Sequence, residues 1–262
     1  MISEEDKIIP SNVMEGFISI KSVIEGYSVY NTTDRKILKV LFDETKEKQR
    51  EKELKYLKSK STELGFEIEK ASHDFISKNS ISSSNGGLIA FCTERNLPVL
   101  KQEDIKEAGF YVLIEGIEDP YNFGYCVRSL YSFGINGLIL NERNWMSASG
   151  VVCRSSAGTT ELLNIYTSET ADALKFFKAK GYRCISTDLS PRAKSIFETD
   201  FSYPVLLIIG GEKRGLTKIA LDNSDEIVKI EYSRKFGSSL TSASSATILG
   251  YEVFRQNRGN GK

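Results

Sequence analysis

The stretch that decides the fold is PVLLIIGGEKRG, residues 204–215. In it, a run of six apolar residues passes directly into a glycine-rich turn. Such a run predicts a buried β-strand, and glycines directly after it allow a ligand to approach the backbone. The turn differs from a Walker A loop because Leu216 stands where the lysine would be, and Gly-x-Gly-x-x-Gly follows no predicted strand. Neither a nucleoside triphosphate site nor a Rossmann dinucleotide site is predicted.

Similar apolar runs recur on both sides of this stretch. Predicted strands lie at residues 111–115, 137–140, 183–187, 205–209 and 226–230. Helical patterns separate them at residues 122–133, 171–180 and 242–258. Strands that are almost continuously hydrophobic and alternate with helices indicate a parallel sheet covered on both faces. The C-terminal half is therefore predicted to be α/β.

The first hundred residues predict a smaller α/β module. An amphipathic segment at residues 20–30, a strand at 37–42 and a long charged helix at 44–64 predict the element order α-β-α. Further strands are expected near residues 66–68 and 87–91. A polar stretch with Pro98 follows it. We expect a module at residues 12–95, a linker at 96–109 and a larger domain at 110–258.

Composition limits which partners the protein is expected to bind and in which cellular compartment it is expected. Lys plus Arg and Asp plus Glu each number 35, so a nucleic-acid site would have to be a local basic patch. The four cysteines are widely spaced and lack the paired spacing of a zinc or redox site, which predicts buried thiols and no metal. No signal peptide or membrane span is recognisable, so a cytoplasmic protein without a membrane partner is expected.

A second motif lies after the first strand of the larger domain. Asp119 or Asn122 can cap the helix that follows, and Gly124 and Arg128 are four residues apart on it. An arginine near free backbone N–H groups forms a site for a phosphate or a carboxylate. The alternative is a solvated surface arginine.

A third motif precedes the last helix. Residues 238–246 are rich in serine and alanine, and small residues allow close approach of backbone to backbone or to a ligand. A capped helix with a small-residue packing face is the alternative.

Together, in this order, the three motifs resemble the SpoU/TrmH family of RNA ribose 2′-O-methyltransferases, in the SPOUT superfamily. The family's Asn-x-Gly-x-x-x-Arg is matched at residues 122–128, and its Gly-x-Glu-x-x-Gly at residues 210–215. Its Ile-Pro-Met and Ser-Leu-Asn appear as Ile-Glu-Tyr at 230–232 and Ser-Leu-Thr at 239–241. Thr241 replaces an amide by one hydroxyl.

The resemblance implies a C-terminal parallel-sheet domain with a trefoil knot, preceded by a smaller L30e-like RNA-binding domain. It implies that S-adenosylmethionine binds largely through backbone groups. The residues implied for the cofactor are Gly210, Gly211, Gly215, Ile230 and Leu240.

Roles in the chemistry also follow from the resemblance. The implied catalytic residues are Arg128, Asn122, Glu212 and Ser239, and the implied RNA contacts are Arg128 and Arg154. Because a guanidinium is a poor base, we expect Arg128 first to bind a phosphate and orient the ribose, and second to accept a proton. The single histidine, His73, lies outside the motifs.

The function expected from the resemblance is methyl transfer from S-adenosylmethionine to a ribose 2′-hydroxyl of rRNA or tRNA, by a homodimer formed through the C-terminal domain. Two alternatives remain. The chain could be a methyltransferase-like RNA-binding protein without turnover, or it could methylate a base.

Overall fold

The computed structural model describes residues 12–82, 85–141, 148–211, 213–235 and 237–259. The chain divides into two compact units. One comprises Met1–Asn96 with Asn144–Leu162, and the other comprises Leu97–Arg143 with Leu163–Lys262. No described helix combines the length and the hydropathy that a membrane span requires. The cytoplasmic location stays a prediction.

The N-terminal unit is built on a four-stranded mixed sheet. Its strands are β1 (Val13–Glu15), β2 (Ile37–Asp43), β3 (Glu67–Ala71) and β4 (Leu88–Cys92), in the order β1-β4-β2-β3. Only β2 and β3 pair in parallel. Its helices are α1 (Gly16–Glu25), α2 (Glu51–Leu64), α3 (His73–Lys78) and α5 (Ser149–Ser155).

Helix α2 begins later than the predicted residue 44. The side chain of Asp43 accepts a hydrogen bond from the backbone N–H of Thr45 and starts a short 3₁₀ turn instead. The helix then buries Leu54 and Leu57 and ends at Gly65, whose φ of 78° suits a residue without Cβ. The side-chain cap of Asp43 thus delays the start of the helix that the long charged pattern predicts.

The segment that carries α5 packs in the N-terminal unit, although it follows the second strand of the larger domain. Cys153 is fully buried in the same core as Met14 and Leu88. Gly150 lies so close to the carbonyl oxygen of Val13 that a Cβ would overlap it. The division therefore differs from the predicted boundaries, which placed residues 144–162 in the C-terminal domain.

The C-terminal unit contains a seven-stranded sheet whose pairs are all parallel. Its strands are β5 (Phe110–Glu115), β6 (Gly137–Leu140), β7 (Ile165–Thr167), β8 (Arg183–Thr187), β9 (Lys194–Ser195), β10 (Val205–Gly210) and β11 (Glu226–Lys229). Their order is β7-β6-β5-β10-β8-β11-β9. The predicted α/β class and parallel sheet are confirmed.

In its described residues the C-terminal unit also has the α-helices α4 (Pro120–Ser132), α6 (Thr170–Ala179), α7 (Lys218–Asn223) and α8 (Ser242–Asn257). Helix α6 contributes Leu174 and Phe177 to a core that includes Tyr111 of β5. Helices α4 and α8 pack together, with a hydrogen bond of 2.8 Å from Thr247 Oγ1 to Ser129 Oγ.

The predicted linker is not a free connector. Val99 forms a parallel bridge with Thr167, and Leu100 and Ile105 are buried in the core of the C-terminal unit. Burial of these two apolar side chains therefore anchors part of the stretch in the C-terminal unit.

All four cysteines are free and buried, as predicted. Burial raises the pKa of Cys126 to about 12 because the thiolate would lose its hydration. Cys92 and Cys184 shift in the same direction and also reach a pKa of about 12. These thiols are therefore protonated at neutral pH and are poor nucleophiles.

Candidate functional site

A cavity opens at the carboxyl ends of three neighbouring strands in the C-terminal unit, β10, β8 and β11. Ligands of parallel α/β sheets generally bind at this edge. Its lining residues are Thr187, Asp188, Leu189, Ile209, Gly210, Gly211, Gly215, Val228, Lys229, Ile230, Tyr232, Ser239, Leu240, Ser242, Ser245 and Leu249. The lining thus combines apolar side chains with hydroxyl groups, one carboxylate (Asp188) and one ammonium group (Lys229).

The glycine turn after β10 is folded back on itself. The backbone N–H of Gly215 donates to the carbonyl oxygen of Gly211 across 3.1 Å, and Gly215 has a φ of 63°. A Cβ on Gly210 would lie 2.7 Å from the carbonyl carbon of Gly215. A Cβ on Gly211 would overlap the carbonyl oxygen of Gly116. Both glycines are therefore required by close backbone approach.

The same turn is held by a buried carboxylate. Glu115, the last residue of β5, is 3% exposed. Its Oε2 accepts from the backbone N–H of Thr217, and its Oε1 accepts from the hydroxyl groups of Thr217 and Thr170. The carboxylate thus joins the end of β5 to the segment that follows the glycine turn.

The third motif closes the cavity on the opposite side. The backbone N–H of Leu240 donates to the hydroxyl oxygen of Tyr232 across 2.9 Å, which joins two residues of the cavity wall. Ser242 Oγ donates to the carbonyl oxygen of Gly210 across 3.1 Å. The end of β10 and the start of α8 are therefore tied together beside the cavity.

Thr241 caps α8. Its hydroxyl oxygen accepts from the backbone N–H of Ser244 across 3.2 Å, as an asparagine side chain in this position could also do. The side chain that departs from the family motif therefore has a local structural role. Thr241 is absent from the described cavity lining.

The first motif occupies α4. Asp119, rather than Asn122, is the N-cap, since its Oδ1 accepts from the backbone N–H of Asn122 across 2.8 Å. Gly124 is buried, whereas Arg128 is exposed on the third turn of the helix. Neither Asn122 nor Arg128 is among the described residues that line the cavity.

Arg154 lies in the N-terminal unit, on α5. Its guanidinium Nη1 is 2.7 Å from Oε2 of Glu15 and also donates to the hydroxyl of Ser82. The side chain of Glu15 is fully buried, so Arg154 neutralises a carboxylate that has lost its hydration. An RNA contact by Arg154 stays a prediction beside this structural role.

Two other residues were singled out in the sequence, Glu212 and His73. Glu212 lies outside the described residues. His73 is on α3, where its Nδ1 is 2.7 Å from Oδ2 of Asp43, within the N-terminal unit. Burial disfavours ionisation of Asp43, but hydrogen bonds from Thr45 and His73 outweigh it and lower the pKa of that carboxyl group.

The structure brings together six of the predicted site residues. Ser239 and the five residues expected to bind the cofactor all line the cavity. Sequence reasoning missed the residues at and after the end of β8, namely Thr187, Asp188 and Leu189, together with Tyr232, Ser242 and Ser245. A local signal existed for the first three, because they end or directly follow the strand that was predicted at residues 183–187, but the place of that strand in the sheet was not predicted.

The chain matches the model of the SpoU rRNA Methylase family over residues 109–251, which is more than half of its length. The chain belongs to the SpoU rRNA Methylase family. The matched span includes all three motifs and every described residue of the cavity.

Curated relatives of this SpoU chain carry RNA methyltransferase names. An uncharacterized tRNA/rRNA methyltransferase of Mycobacterium avium (strain 104) is 30% identical over 149 residues, which cover 56% of this chain and 48% of the relative. The 23S rRNA (guanosine-2′-O-)-methyltransferase RlmB of Shewanella oneidensis is 23% identical over 202 residues, covering 74% of this chain and 80% of RlmB. The chain spans about half to three fifths of the length of several relatives, from 48% to 61%.

Solved structures share the fold of the SpoU chain. A crystal structure of an RNA 2′-O ribose methyltransferase superposes with a TM-score of 0.76 at 21% identity, covering 94% of this chain and 88% of that one. The SpoU methyltransferase AviRb from Streptomyces viridochromogenes, in complex with AdoMet, superposes with a TM-score of 0.73 at 23% identity, covering 95% and 91%. At these identities, the likeness establishes the fold alone.

Proposed function

We propose that this protein transfers the methyl group of S-adenosylmethionine to a ribose 2′-hydroxyl of rRNA or tRNA. The observation that carries the proposal is the cavity at the ends of β8, β10 and β11, which gathers the residues of two separate motifs of the family. Family membership supplies the reaction class, and the names of RlmB and of the 2′-O ribose methyltransferase favour the ribose.

The residues of the cavity suit the cofactor. Ile209, Val228, Ile230 and Leu249 offer an apolar surface to an adenine, and Asp188, Lys229 and the hydroxyl groups offer partners to the polar parts of the molecule. The close-packed glycines of the turn bring backbone groups to the cavity wall. When bound, the sulfonium supplies an activated methyl group to a nucleophilic oxygen.

Arg128 is the residue proposed to bind the RNA at the reacting nucleotide. Its exposed guanidinium, on the helix that follows β5, can form two hydrogen bonds to a phosphate and so orient the adjacent ribose. Asn122 lies near the start of the same helix and would support that arrangement. Ser239 would complete the pocket, and Glu212 would brace the glycine turn. The 2′-hydroxyl loses its proton during the attack on the methyl group.

Two features of architecture belong to the same proposal. The N-terminal unit would be the L30e-like RNA-binding module, consistent with its small mixed sheet covered by helices. The chain between β11 and α8 would complete the trefoil knot of the family. The hydrogen bond from Ser242, at the start of α8, to the carbonyl oxygen of Gly210, at the end of β10, supports this part of the proposal.

A homodimer through α4 and α8 is also proposed. Both helices expose large apolar side chains to solvent. Clusters of exposed apolar groups are typical of protein interfaces. The residues are Tyr121, Tyr125, Ile248, Tyr251 and Phe254. Equilibrium sedimentation would give twice the monomer mass, and Tyr251→Glu with Phe254→Glu would shift it towards the monomer.

The test of the function is methyl transfer from labelled S-adenosylmethionine to unmodified rRNA and tRNA. Alkaline hydrolysis then locates the label, because a 2′-O-methyl group blocks cleavage of the adjacent phosphodiester. Label in an alkali-resistant dinucleotide supports the proposal, and label in a mononucleotide base supports base methylation instead. Cofactor and RNA binding without any transfer would support the inactive RNA-binding alternative.

Arg128→Ala separates binding from chemistry. We expect cofactor affinity to stay unchanged and methyl transfer to fall by about 10²-fold or more, since an oriented charged contact at the reacting group is lost. Arg258→Ala, an exposed arginine at the end of α8, is the matched control and should transfer methyl groups normally.

A further inference from the structure

Asp188 holds a defined position at the edge of the cavity. It directly follows β8, and its backbone N–H donates to the carbonyl oxygen of Val228 on β11 across 2.9 Å. Its Oδ2 accepts from the backbone N–H of Ser190 across 3.2 Å. These two hydrogen bonds fix the backbone and the side chain of a residue that lines the cavity.

The carboxylate retains capacity for a ligand. Asp188 is the only carboxylate among the described residues that line the cavity. A carboxylate accepts several hydrogen bonds, and only Oδ2 accepts one from the described part of the chain. Oδ1 therefore remains able to accept from a ligand, as does the second lone pair of Oδ2.

The strand order indicates which part of the cofactor meets Asp188. The order β5-β10-β8 places β8 two strands away from β5, which is about 10 Å. Arg128, proposed to hold the RNA, is on the helix directly after β5. If Arg128 holds the RNA, the bound methyl group would face the β5 side, and the residues after β8 and β11 would hold the adenosine.

We infer that Asp188 binds the two ribose hydroxyl groups of S-adenosylmethionine. A cis-diol presents two neighbouring O–H donors, and an ionised carboxylate is a strong acceptor of both. The inference rests on the proposed cofactor, and it adds a residue that no family motif in this sequence contains. The adenine amino group is the other hydrogen-bond donor of adenosine that a carboxylate could bind, and it is the alternative that the experiment tests.

The experiment measures binding by calorimetry to wild-type protein and to Asp188→Asn. Asparagine keeps one oxygen for Ser190 and has nearly the same shape, so it removes the charge and half of the acceptor capacity. The probes are S-adenosylmethionine, 5′-methylthioadenosine, which lacks the amino acid, and 2′-deoxy-5′-methylthioadenosine, which also lacks one ribose hydroxyl. Asp222→Asn, an exposed aspartate on α7, is the matched control.

We expect Asp188→Asn to weaken S-adenosylmethionine and 5′-methylthioadenosine equally, by about tenfold or more, as for a lost hydrogen bond to a charged group. The 2′-deoxy probe should bind both proteins with affinities that differ much less. Equal thermal melting of the unliganded wild type and variant verifies that the variant is folded. If melting differs, Asp188→Ser provides the same comparison of probes.

Three outcomes would overturn the inference. Equal affinities of wild type and variant for S-adenosylmethionine would show that Asp188 does not contact the cofactor. A loss confined to S-adenosylmethionine would place the carboxylate at the amino group or sulfonium, and an equal loss with the 2′-deoxy probe would place it at the adenine. Absence of binding by folded wild type to every probe would instead remove the proposed function itself.

Discussion

Oε2 of Glu115 lies 2.7 Å from the backbone nitrogen of Thr217, at the point where β5 meets the segment after the glycine turn. The two residues are 102 positions apart in the chain. The carboxylate is buried and also accepts two threonine hydroxyl groups, so hydrogen bonds from the described residues stabilise its charge.

Glu115→Gln should destabilise the C-terminal unit and loosen the glycine turn. The amide can replace only one carboxylate oxygen and brings an N–H group towards other donors, so we expect a loss of about 1.5–3 kcal/mol in the free energy of unfolding. Urea denaturation measures it. Glu107→Gln, an exposed glutamate paired with Lys180, is the control and should leave stability nearly unchanged. An unaltered denaturation midpoint for Glu115→Gln would contradict the bracing role.

Gly211→Ala should abolish cofactor binding while most of the protein stays folded. The added Cβ would overlap the carbonyl oxygen of Gly116, so either the turn or the end of β5 must move. Gly237→Ala places its Cβ in open space and is the matched control. Calorimetry with S-adenosylmethionine, together with far-ultraviolet circular dichroism, distinguishes the two variants. Equal binding by both would show that the turn adapts at no cost.

Arg154→Ala should destabilise the N-terminal unit. Removal of the guanidinium leaves the buried carboxylate of Glu15 without its ion-pair partner, which should cost about 1.5–3 kcal/mol. Urea denaturation of the variant is compared with that of Arg192→Ala, an exposed arginine of the other unit. If Arg154 served only RNA binding, RNA affinity would fall and stability would not.

Asp43 should make the N-terminal unit sensitive to acid. Its folded pKa is lowered below the unfolded value of about 3.9, because hydrogen bonds from Thr45 and His73 outweigh the effect of burial. The stabilisation is therefore complete above about pH 5 and is lost as the pH falls through the unfolded and then the folded pKa. The difference in unfolding free energy between wild type and Asp43→Asn should shrink between pH 6 and pH 3. Asp74→Asn, exposed on α3, should show no such change.

The sequence predicted the elements whose signals are local. The strand at residues 183–187 and the strand at 137–140 agree with β8 and β6 residue for residue. The second is an apolar run between two asparagines, and the first has β-branched residues among its last three positions. Strands β7 and β9 have three and two residues, which is too short for any periodicity to be visible. They exist because neighbouring strands offer backbone partners.

The site was predictable to the extent that it depends on backbone geometry. The glycines that line the cavity could be identified because their spacing after a strand is a local pattern. Asp188 follows a strand that the sequence did predict, but the strand order that brings β8 beside β10 and the cavity is a long-range property, so Asp188 was not identified. The pairing of Arg154 with Glu15 spans 139 positions and leaves no trace in a single sequence. Packing partners of this kind require the folded structure.

The grouping of residues 144–162 with the N-terminal unit means that the chain passes from one unit to the other three times. A protein ending at Asn96 would lack α5, and with it the buried Cys153 of its own core. Exchange of this unit between relatives by recombination would therefore need two separate inserted pieces of gene. Mutations in α5 and in β1 are expected to have co-evolved, although a family model that begins at residue 109 includes only one of the two.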